Sequence, residues 1–189
     1  MTLTELFTKY GTDKVRNEYV EMYEHILDPK RDTITNICEI GIGTLLPGAP
    51  SSMVGFCDPG YAPGGSLRAF RDYCPLANVL GLDIQRDTQF SDERIETGIC
   101  DSTDGLSVAK FFAHRQRSFD LIIDDGLHAP WAQFATLVNF QDKVKYLGFY
   151  VIEDIHVGSP VFSEWQSITG NRFELVHQRV NALVLRKRV

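Results

Sequence analysis

The sequence lacks long apolar runs and closely spaced cysteines. No stretch approaches the roughly 18 uninterrupted apolar residues that mark a membrane-spanning helix, and the opening MTLTELFTKYGTDK has no apolar signal core. The four cysteines, Cys38, Cys57, Cys74 and Cys100, form no C-x-x-C pair, which disfavours a disulfide framework and a structural zinc site. We therefore expect a cytoplasmic protein with reduced thiols and no membrane partner.

Basic charge is also in short supply. The 19 Lys and Arg residues are outnumbered by 25 Asp and Glu residues, and the formal net charge is −6. Because the basic residues are scattered, they form no positively charged patch that could bind a nucleic-acid backbone. No nucleic-acid partner is therefore expected. With 189 residues, 43% of them hydrophobic, the chain is long enough for one globular domain, which we predict over residues 1–189.

From Asn36 onward, short β-rich runs alternate with amphipathic ones, a pattern typical of βαβ units. The last two β-runs, FELVHQ and ALVLRKRV, are too close for a parallel crossover and should pair antiparallel. The predicted fold is α/β: a Rossmann-like, doubly wound, seven-stranded and mostly parallel sheet that ends in a C-terminal antiparallel hairpin. The predicted strands are NICEIGIG, NVLGLDI, IETGIC, FDLIIDD, GFYVIED and the two closing runs.

Apolar spacing predicts which helix faces are buried. In GSLRAFRDYC, Leu67, Phe70 and Cys74 recur at helical spacing and should pack on the sheet. The later run PWAQFATLVNFQDKVKY has Pro130 at a position suited to a first helical turn. Its predicted apolar stripe consists of Trp131, Phe134, Leu137 and Val138.

Two segments stand outside the βαβ pattern. Residues 1–30 contain two predicted helices, which we expect to cover the site. Thr44–Gly64 is rich in Gly, Pro and Ser, and it far exceeds the roughly two to six residues of an ordinary βα turn. We predict that residues 44–64 form a lid-like insertion.

The first two predicted strands end in residues suited to a nucleotide-like ligand. Glu39 precedes Gly41 and Gly43, and the glycines would let the backbone approach a ligand closely. Asp83, which suits ribose hydroxyls, lies 83 − 43 = 40 residues beyond the second glycine, against about 20 in the dinucleotide fingerprint. The insertion accounts for the excess.

Asp101 ends the third predicted strand and allows two interpretations. Its carboxylate would read an adenine amino group, or it would cap the helix that DSTDG begins. The run GIGTLLPG does not lead directly into a helix N-terminus, as a pyrophosphate loop requires. A cofactor with adenosine but no pyrophosphate fits better, and S-adenosylmethionine is the candidate.

The runs FDLIIDDGLH and GFYVIEDIH each end a strand in two acids and then reach a histidine. Carboxylates crowded at one edge of a sheet raise one another's pKa unless a cation lies between them. Oxygen ligands favour Mg²⁺, Mn²⁺ or Ca²⁺ over zinc. A single strand-end acid is commonly a cap or turn residue, but two acid pairs favour a metal site. The acids are Asp124, Asp125, Glu153 and Asp154, and the histidines are His128 and His156, of which His156 stays unassigned.

These motifs together resemble a known family. YGTDK, YVEMYEHIL, CEIGIGT, PGGSLRAFRDYCPLANVLGLDI, FDLIIDDGLH and GFYVIEDIH are similar to stretches of the Mg²⁺-dependent, S-adenosylmethionine-dependent O-methyltransferases that act on sugars of antibiotics and related glycosides. The paired motifs DDG-x-H and VIED-x-H, 153 − 125 = 28 residues apart, carry most of the resemblance.

The resemblance implies a role for each matching residue. It implies that Asp125, Glu153 and Asp154 bind the metal and that His128 is the general base. It also implies that Asp124 lies beside the methionine part of the cofactor. The implied cofactor-binding residues are Glu39, Gly41, Asp83 and Asp101, to which the strand-end argument adds Gly43, with Thr12, Asp13 and Lys14 as further candidates.

Some features depart from that family. The insertion adds LLPGAPSSMVGFC, which leaves the acceptor open, and Glu18 stands where many relatives have a histidine. Macrolide-modifying members carry an extra N-terminal domain, which leaves the oligomeric state open, a homodimer included. A catechol-like phenol or another metabolite is the alternative acceptor. A nicotinamide-dependent oxidoreductase and a non-catalytic module that binds an adenosyl ligand are the alternatives from other classes.

Overall fold

A computed structural model describes residues 1–57, 60–115 and 117–189. Within these ranges, eight strands form a sheet in the order β3-β4-β2-β1-β5-β6-β8-β7. The strands are β1 Asn36–Ile40, β2 Asn78–Asp83, β3 Ser91–Asp92, β4 Ile95–Ile99, β5 Phe119–Asp124, β6 Val144–Ile152, β7 Phe173–Gln178 and β8 Leu183–Lys187. The helices are α1 Leu3–Lys9, α2 Val20–Leu27, α3 Gly65–Tyr73, α4 Gly105–Phe112, α5 Pro130–Phe140 and α6 Val161–Thr169.

The sheet confirms the predicted doubly wound fold. Strands β4, β2, β1, β5 and β6 run parallel, and β8 and β7 add the predicted antiparallel pair. The strand order reverses between β1 and β5. The ligand crevice is therefore expected outside the carboxyl ends of these two strands. The sequence prediction lacked β3, a two-residue edge strand antiparallel to β4, because two residues are too few to produce a periodic pattern.

Apolar side chains cover both faces of the sheet. Along β1, Ile37 packs in the cluster that includes residues of α1, α2 and α3, whereas Cys38 packs in the cluster that includes α4, α5 and α6. This alternation follows from the two-residue period of a strand. The predicted buried face of α3 is confirmed, since Leu67, Phe70 and Cys74 are fully buried.

The predicted form of the PWAQ helix is partly wrong. The helix α5 ends at Phe140, and Val144 already begins β6. Trp131 and Val138 are 61% and 51% exposed, although Leu137 is buried as predicted. The buried face instead includes Gln133, whose side chain donates to the Glu153 carbonyl at 3.0 Å. The hydrogen bond of its amide nitrogen lowers the cost of burying Gln133, although its Oε1 has no partner among the described residues. Apolar spacing alone therefore misplaced the buried face.

None of the described helices combines the length and hydropathy that crossing a bilayer requires.

Asp120 in β5 fastens the start of β1 to β6. Its Oδ2 accepts from the backbone N–H groups of Thr35 and Asn36, each at 2.9 Å, and from Lys145 Nζ at 2.8 Å. Burial raises the pKa of this carboxyl, but Lys145 and the two N–H groups outweigh burial and lower it overall. The ionised form of Asp120 therefore stabilises the folded chain.

We expect Asp120→Asn to lower the free energy of unfolding by about 1–3 kcal/mol at pH 7. Because the folded pKa lies below the unfolded one, the stabilisation is present above about pH 4 and is lost as the pH falls through the folded pKa. Urea denaturation of both proteins at several pH values measures the difference. Asp142→Asn is the control, since Asp142 is 77% exposed beside Arg172 and should change stability little. A difference that persists undiminished well below pH 4 would contradict the prediction.

Candidate active site

A cavity of about 460 Å³ lies at the carboxyl edge of the parallel strands. Three groups of residues line it: the strand ends, the N-terminal segment and the insertion. The predicted site residues that line it are Thr12, Asp13, Lys14, Gly41, Gly43, Asp83, Asp101, Asp125, His128 and Asp154. Three other predicted site residues, Glu39, Asp124 and Glu153, are buried beneath this edge, with 0%, 2% and 1% exposure. His156 is exposed to solvent.

Both glycines after β1 have a left-handed backbone, with φ of 82°. A Cβ at Gly41 would lie 2.0 Å from the Asp125 carbonyl oxygen, and one at Gly43 would lie 1.9 Å from Tyr61 Oη. The glycines thus allow the loop after β5 and the Tyr61 ring of the insertion to approach β1. Their predicted contact with a cofactor stays a prediction.

Asp83 holds the loop after β1 against the end of β2. Its Oδ2 accepts from the Ile42 N–H at 3.0 Å, and its Oδ1 accepts from the Gln85 N–H at 2.8 Å. Burial raises the pKa of this carboxyl, although both N–H groups oppose that rise. A carboxylate oxygen can accept two hydrogen bonds, and each oxygen of Asp83 accepts one of those described above. Asp83 therefore retains acceptor capacity for a ligand in the cavity that it lines.

The two interpretations of Asp101 are separated by the start of α4. Asp104, not Asp101, is the N-cap of that helix, where its carboxylate accepts from the Leu106 N–H at 3.0 Å. Asp101 Oδ1 instead accepts from the N–H and hydroxyl of Thr103, at 2.9 and 2.7 Å. Asp101 lines the cavity, and its predicted ligand-reading role stays a prediction.

Asp125, His128 and Asp154 form the acidic cluster of the site. One potential ligand atom from each lies within 4.8 Å of the others. His128 Nε2 is 3.4 Å from Asp125 Oδ1 and 3.7 Å from Asp154 Oδ2. Among the described residues, this nitrogen is buried without a partner in hydrogen-bonding geometry. The two carboxylates fit a small divalent cation, and the unpartnered imidazole nitrogen beside them fits a proton acceptor.

Glu153 lies outside this cluster, beside a buried lysine. Its Oε2 is 2.5 Å from Lys14 Nζ, and its Oε1 accepts from the Tyr23 hydroxyl. The same ammonium lies 3.0 Å from Asp125 Oδ2 and 3.2 Å from Glu39 Oε1. Lys14 is only 1% exposed, so its single positive charge lies buried among acids from three strand ends.

The sequence motif predicted only a cofactor contact for Lys14 and did not predict this role. The motif YGTDK drew attention to the residue, but no local pattern shows which acids surround it. The predicted metal role of Glu153 stays a prediction. In the described structure both of its carboxylate oxygens are already paired.

The charges of the site depend on one another. Burial lowers the pKa of Lys14, but the surrounding carboxylates outweigh burial and raise it well above its usual value. Burial raises the pKa of Asp125, yet Lys14 and His128 hold it below its usual range. Burial lowers the pKa of His128, but Asp125 and Asp154 outweigh burial and raise it to about 9. Asp124 has only a weak backbone contact, and burial raises its pKa to about 7.

The insertion forms one wall of the cavity. Thr44 Oγ1 donates to Asp87 at 2.7 Å, and the Met53 N–H donates to the Thr44 carbonyl at 2.9 Å. Tyr61 Oη lies 3.3 Å from the Gly43 carbonyl, and both Met53 and Tyr61 line the cavity. The predicted lid includes residues 58 and 59, which lie outside the described residues. Its closure over a ligand stays a prediction.

The fold is that of class I methyltransferases. The chain superposes with a TM-score of 0.77 on the MycE methyltransferase from the mycinamycin biosynthetic pathway in complex with Mg, SAH and mycinamycin VI. The match covers 100% of this chain and 55% of that one, at 23% identity. A scan against models of protein families found no match.

Curated proteins with similar sequences are sugar O-methyltransferases. The chain is 29% identical over 169 residues to the 8-demethyl-8-alpha-L-rhamnosyl tetracenomycin-C 2'-O-methyltransferase of Streptomyces olivaceus, which covers 89% of this chain and 40% of that protein. It is 29% identical over 155 residues to the mycinamicin VI 2''-O-methyltransferase of Micromonospora griseorubida, covering 81% and 36%. The resemblance inferred from the motifs is confirmed. The chain spans about two fifths of the length of these relatives.

Proposed function

We propose that the protein is an S-adenosylmethionine-dependent, divalent-metal-dependent O-methyltransferase that acts on a hydroxyl group of a sugar or glycosylated small molecule. The observation that carries the proposal is one cavity lined by two sets of groups. Asp83 and Asp101 suit an adenosine, and the cluster of Asp125, His128 and Asp154 suits a cation and a proton acceptor. The activities of the similar proteins, O-methylation of a rhamnosyl tetracenomycin-C and of mycinamicin VI, support the same reaction class.

The cofactor would extend from the Asp83 end of the cavity towards the cluster. Gly41, Gly43, Asp83 and Asp101 would bind its adenosine part. Asp124 would lie beside its methionine part, because one of its carboxylate oxygens is buried and without a partner among the described residues. An ammonium group is a suitable partner for such an oxygen. Glu39 would act indirectly, through its contacts with Lys14 and Ser66. Thr12 and Lys14 line the N-terminal side of the cavity.

Asp125 and Asp154 would hold the cation, which we propose to be Mg²⁺, Mn²⁺ or Ca²⁺. Glu153, the third ligand implied by the resemblance, would join them after exchanging its contact with Lys14 for the cation. A bound divalent cation would acidify and orient the acceptor hydroxyl, which is a weak nucleophile on its own.

His128 would accept the proton of that hydroxyl. Its Nε2 faces the cluster without a hydrogen-bond partner among the described residues. The carboxylates that raise its pKa to about 9 are those proposed to bind the cation. A cation bound by these carboxylates would oppose their effect on the pKa of His128. The pKa would then fall towards the range in which an imidazole accepts protons at neutral pH.

The other parts of the proposal concern the whole chain. Residues 1–189 would be a single methyltransferase domain, in which the segment 1–30 and the insertion 44–64 exclude water from the cavity. A cytoplasmic location accords with the free, buried thiols of Cys38, Cys74 and Cys100. A homodimer stays a prediction.

Calorimetry with S-adenosylhomocysteine and with NAD tests the cofactor. We expect heat of binding only with S-adenosylhomocysteine. Transfer of a labelled methyl group from S-adenosylmethionine to a panel of glycosides and nucleotide sugars, with Mg²⁺ present, then tests the acceptor. A parallel panel of catechols tests the alternative acceptor. Binding of NAD alone would contradict the proposed function, and methylation of catechols alone would contradict the proposed acceptor.

A further inference from the structure

Asp154 has an unusual backbone for a residue with a Cβ. It lies just after β6 and has a left-handed φ of 49°. Non-glycine residues adopt this conformation seldom, although Asp does so more readily than most. Such a residue persists where its surroundings fix it, often at a functional site.

The phenol of Tyr19 contacts both the backbone and the side chain of Asp154. Tyr19 Oη donates to Asp154 Oδ1 at 2.6 Å and accepts from the Asp154 N–H at 3.0 Å. The Asn181 side-chain amide, in the turn between β7 and β8, donates to the same oxygen at 2.8 Å. With 1% exposure, Tyr19 is held in place on all sides.

These contacts determine which oxygen of Asp154 is available to the cluster. Oδ1 is engaged by Tyr19, and Oδ2 is the oxygen that lies 3.7 Å from His128 Nε2. Hydrogen bonds to a ligating carboxylate orient it towards a metal, and losing them weakens metal binding. Tyr19 is not among the residues that line the cavity, but by binding Oδ1 it fixes the direction of Oδ2, which faces the cluster.

We propose that Tyr19 is a positioning residue for the divalent-cation site, because it holds Asp154 in its left-handed conformation with Oδ2 directed into the cluster. The inference rests on the proposed function in one respect: Asp154 is taken as a cation ligand. Glu18 and Arg179, 3.0 Å apart, connect the same N-terminal segment to the turn that carries Asn181. The N-terminal segment thus completes the site from beneath the strand end.

Tyr19→Phe removes one oxygen atom and keeps the buried ring. The matched control is Tyr73→Phe, because the hydroxyl of this buried residue also donates to a carboxylate, that of Asp28, outside the residues lining the cavity. Both variants lose a phenol–carboxylate hydrogen bond, so both should lose some thermal stability.

The test is Mn²⁺ binding, followed by the electron paramagnetic resonance signal of the free ion. For Tyr19→Phe we expect the Mn²⁺ affinity to fall roughly 10- to 100-fold, with the affinity for S-adenosylhomocysteine unchanged. For Tyr73→Phe we expect wild-type Mn²⁺ affinity. Asn181→Ala, which removes a donor to Tyr19 Oη, should cause a smaller loss and serves as the test if Tyr19→Phe does not fold.

Wild-type Mn²⁺ affinity in both Tyr19→Phe and Asn181→Ala would overturn the inference, and so would an equal loss in Tyr73→Phe. In either case the proposed function stands, provided that the wild-type protein binds Mn²⁺. A wild-type protein that binds no Mn²⁺ would instead overturn the metal part of the proposed function and this inference with it.

Discussion

Excess EDTA is expected to abolish methyl transfer to a sugar hydroxyl and to leave the binding of S-adenosylhomocysteine largely intact. The reason is the division of the cavity. The proposed cation ligands Asp125 and Asp154 form one cluster with His128. Asp83 and Asp101 lie elsewhere, at the ends of β2 and β4. Without the cation, the acceptor hydroxyl would keep its proton and would lose its orientation towards the methyl group.

Methyl-transfer assays with and without EDTA measure the first effect, and calorimetry with S-adenosylhomocysteine measures the second. Restoration of turnover by excess Mg²⁺ is the control for damage by the chelator. Asp125→Asn should reproduce the loss at saturating cofactor, because it removes a negative charge from the cluster while keeping the side-chain shape. Full activity in excess EDTA would contradict the metal-dependent mechanism.

The second large effect is expected at His128. We expect His128→Ala to lower turnover by roughly 10²- to 10⁴-fold, the usual contribution of a positioned general base. Mn²⁺ and S-adenosylhomocysteine should still bind, because Asp125, Asp154 and the adenosine end of the cavity are unchanged. The measurements are the turnover number at saturating acceptor and the two binding affinities.

His156→Ala is the matched control for that variant. His156 also follows an acid pair at a strand end, but it is exposed to solvent. We expect it to retain wild-type turnover. Two variants that lose turnover equally would contradict the assignment of the base to His128, and so would a His128→Ala protein with near-normal turnover.

The doubly wound fold was predictable because its signals are local. Strands and helices alternate along the chain, and the buried faces of β1 and α3 follow the periods of a strand and a helix. The parallel connections place all strand ends at one edge, so the meeting of Asp83, Asp101 and Asp125 around one cavity was also predictable. The buried face of α5 was not, because buried Gln133 depends on the Glu153 carbonyl, a partner from another element.

The sequence alone determined three features, because each depends only on residue type and spacing. They are the two acid-rich strand ends, the glycines after β1 and the resemblance to sugar O-methyltransferases. The tertiary structure decided how those acids are used. The buried ammonium of Lys14 contacts both Glu39 and Glu153, and Tyr19 directs Asp154 into the cluster. Lys14 lies 25 positions from Glu39 and 139 positions from Glu153 in the chain. Over such separations the direction of a side chain is set by packing and not by a local sequence pattern.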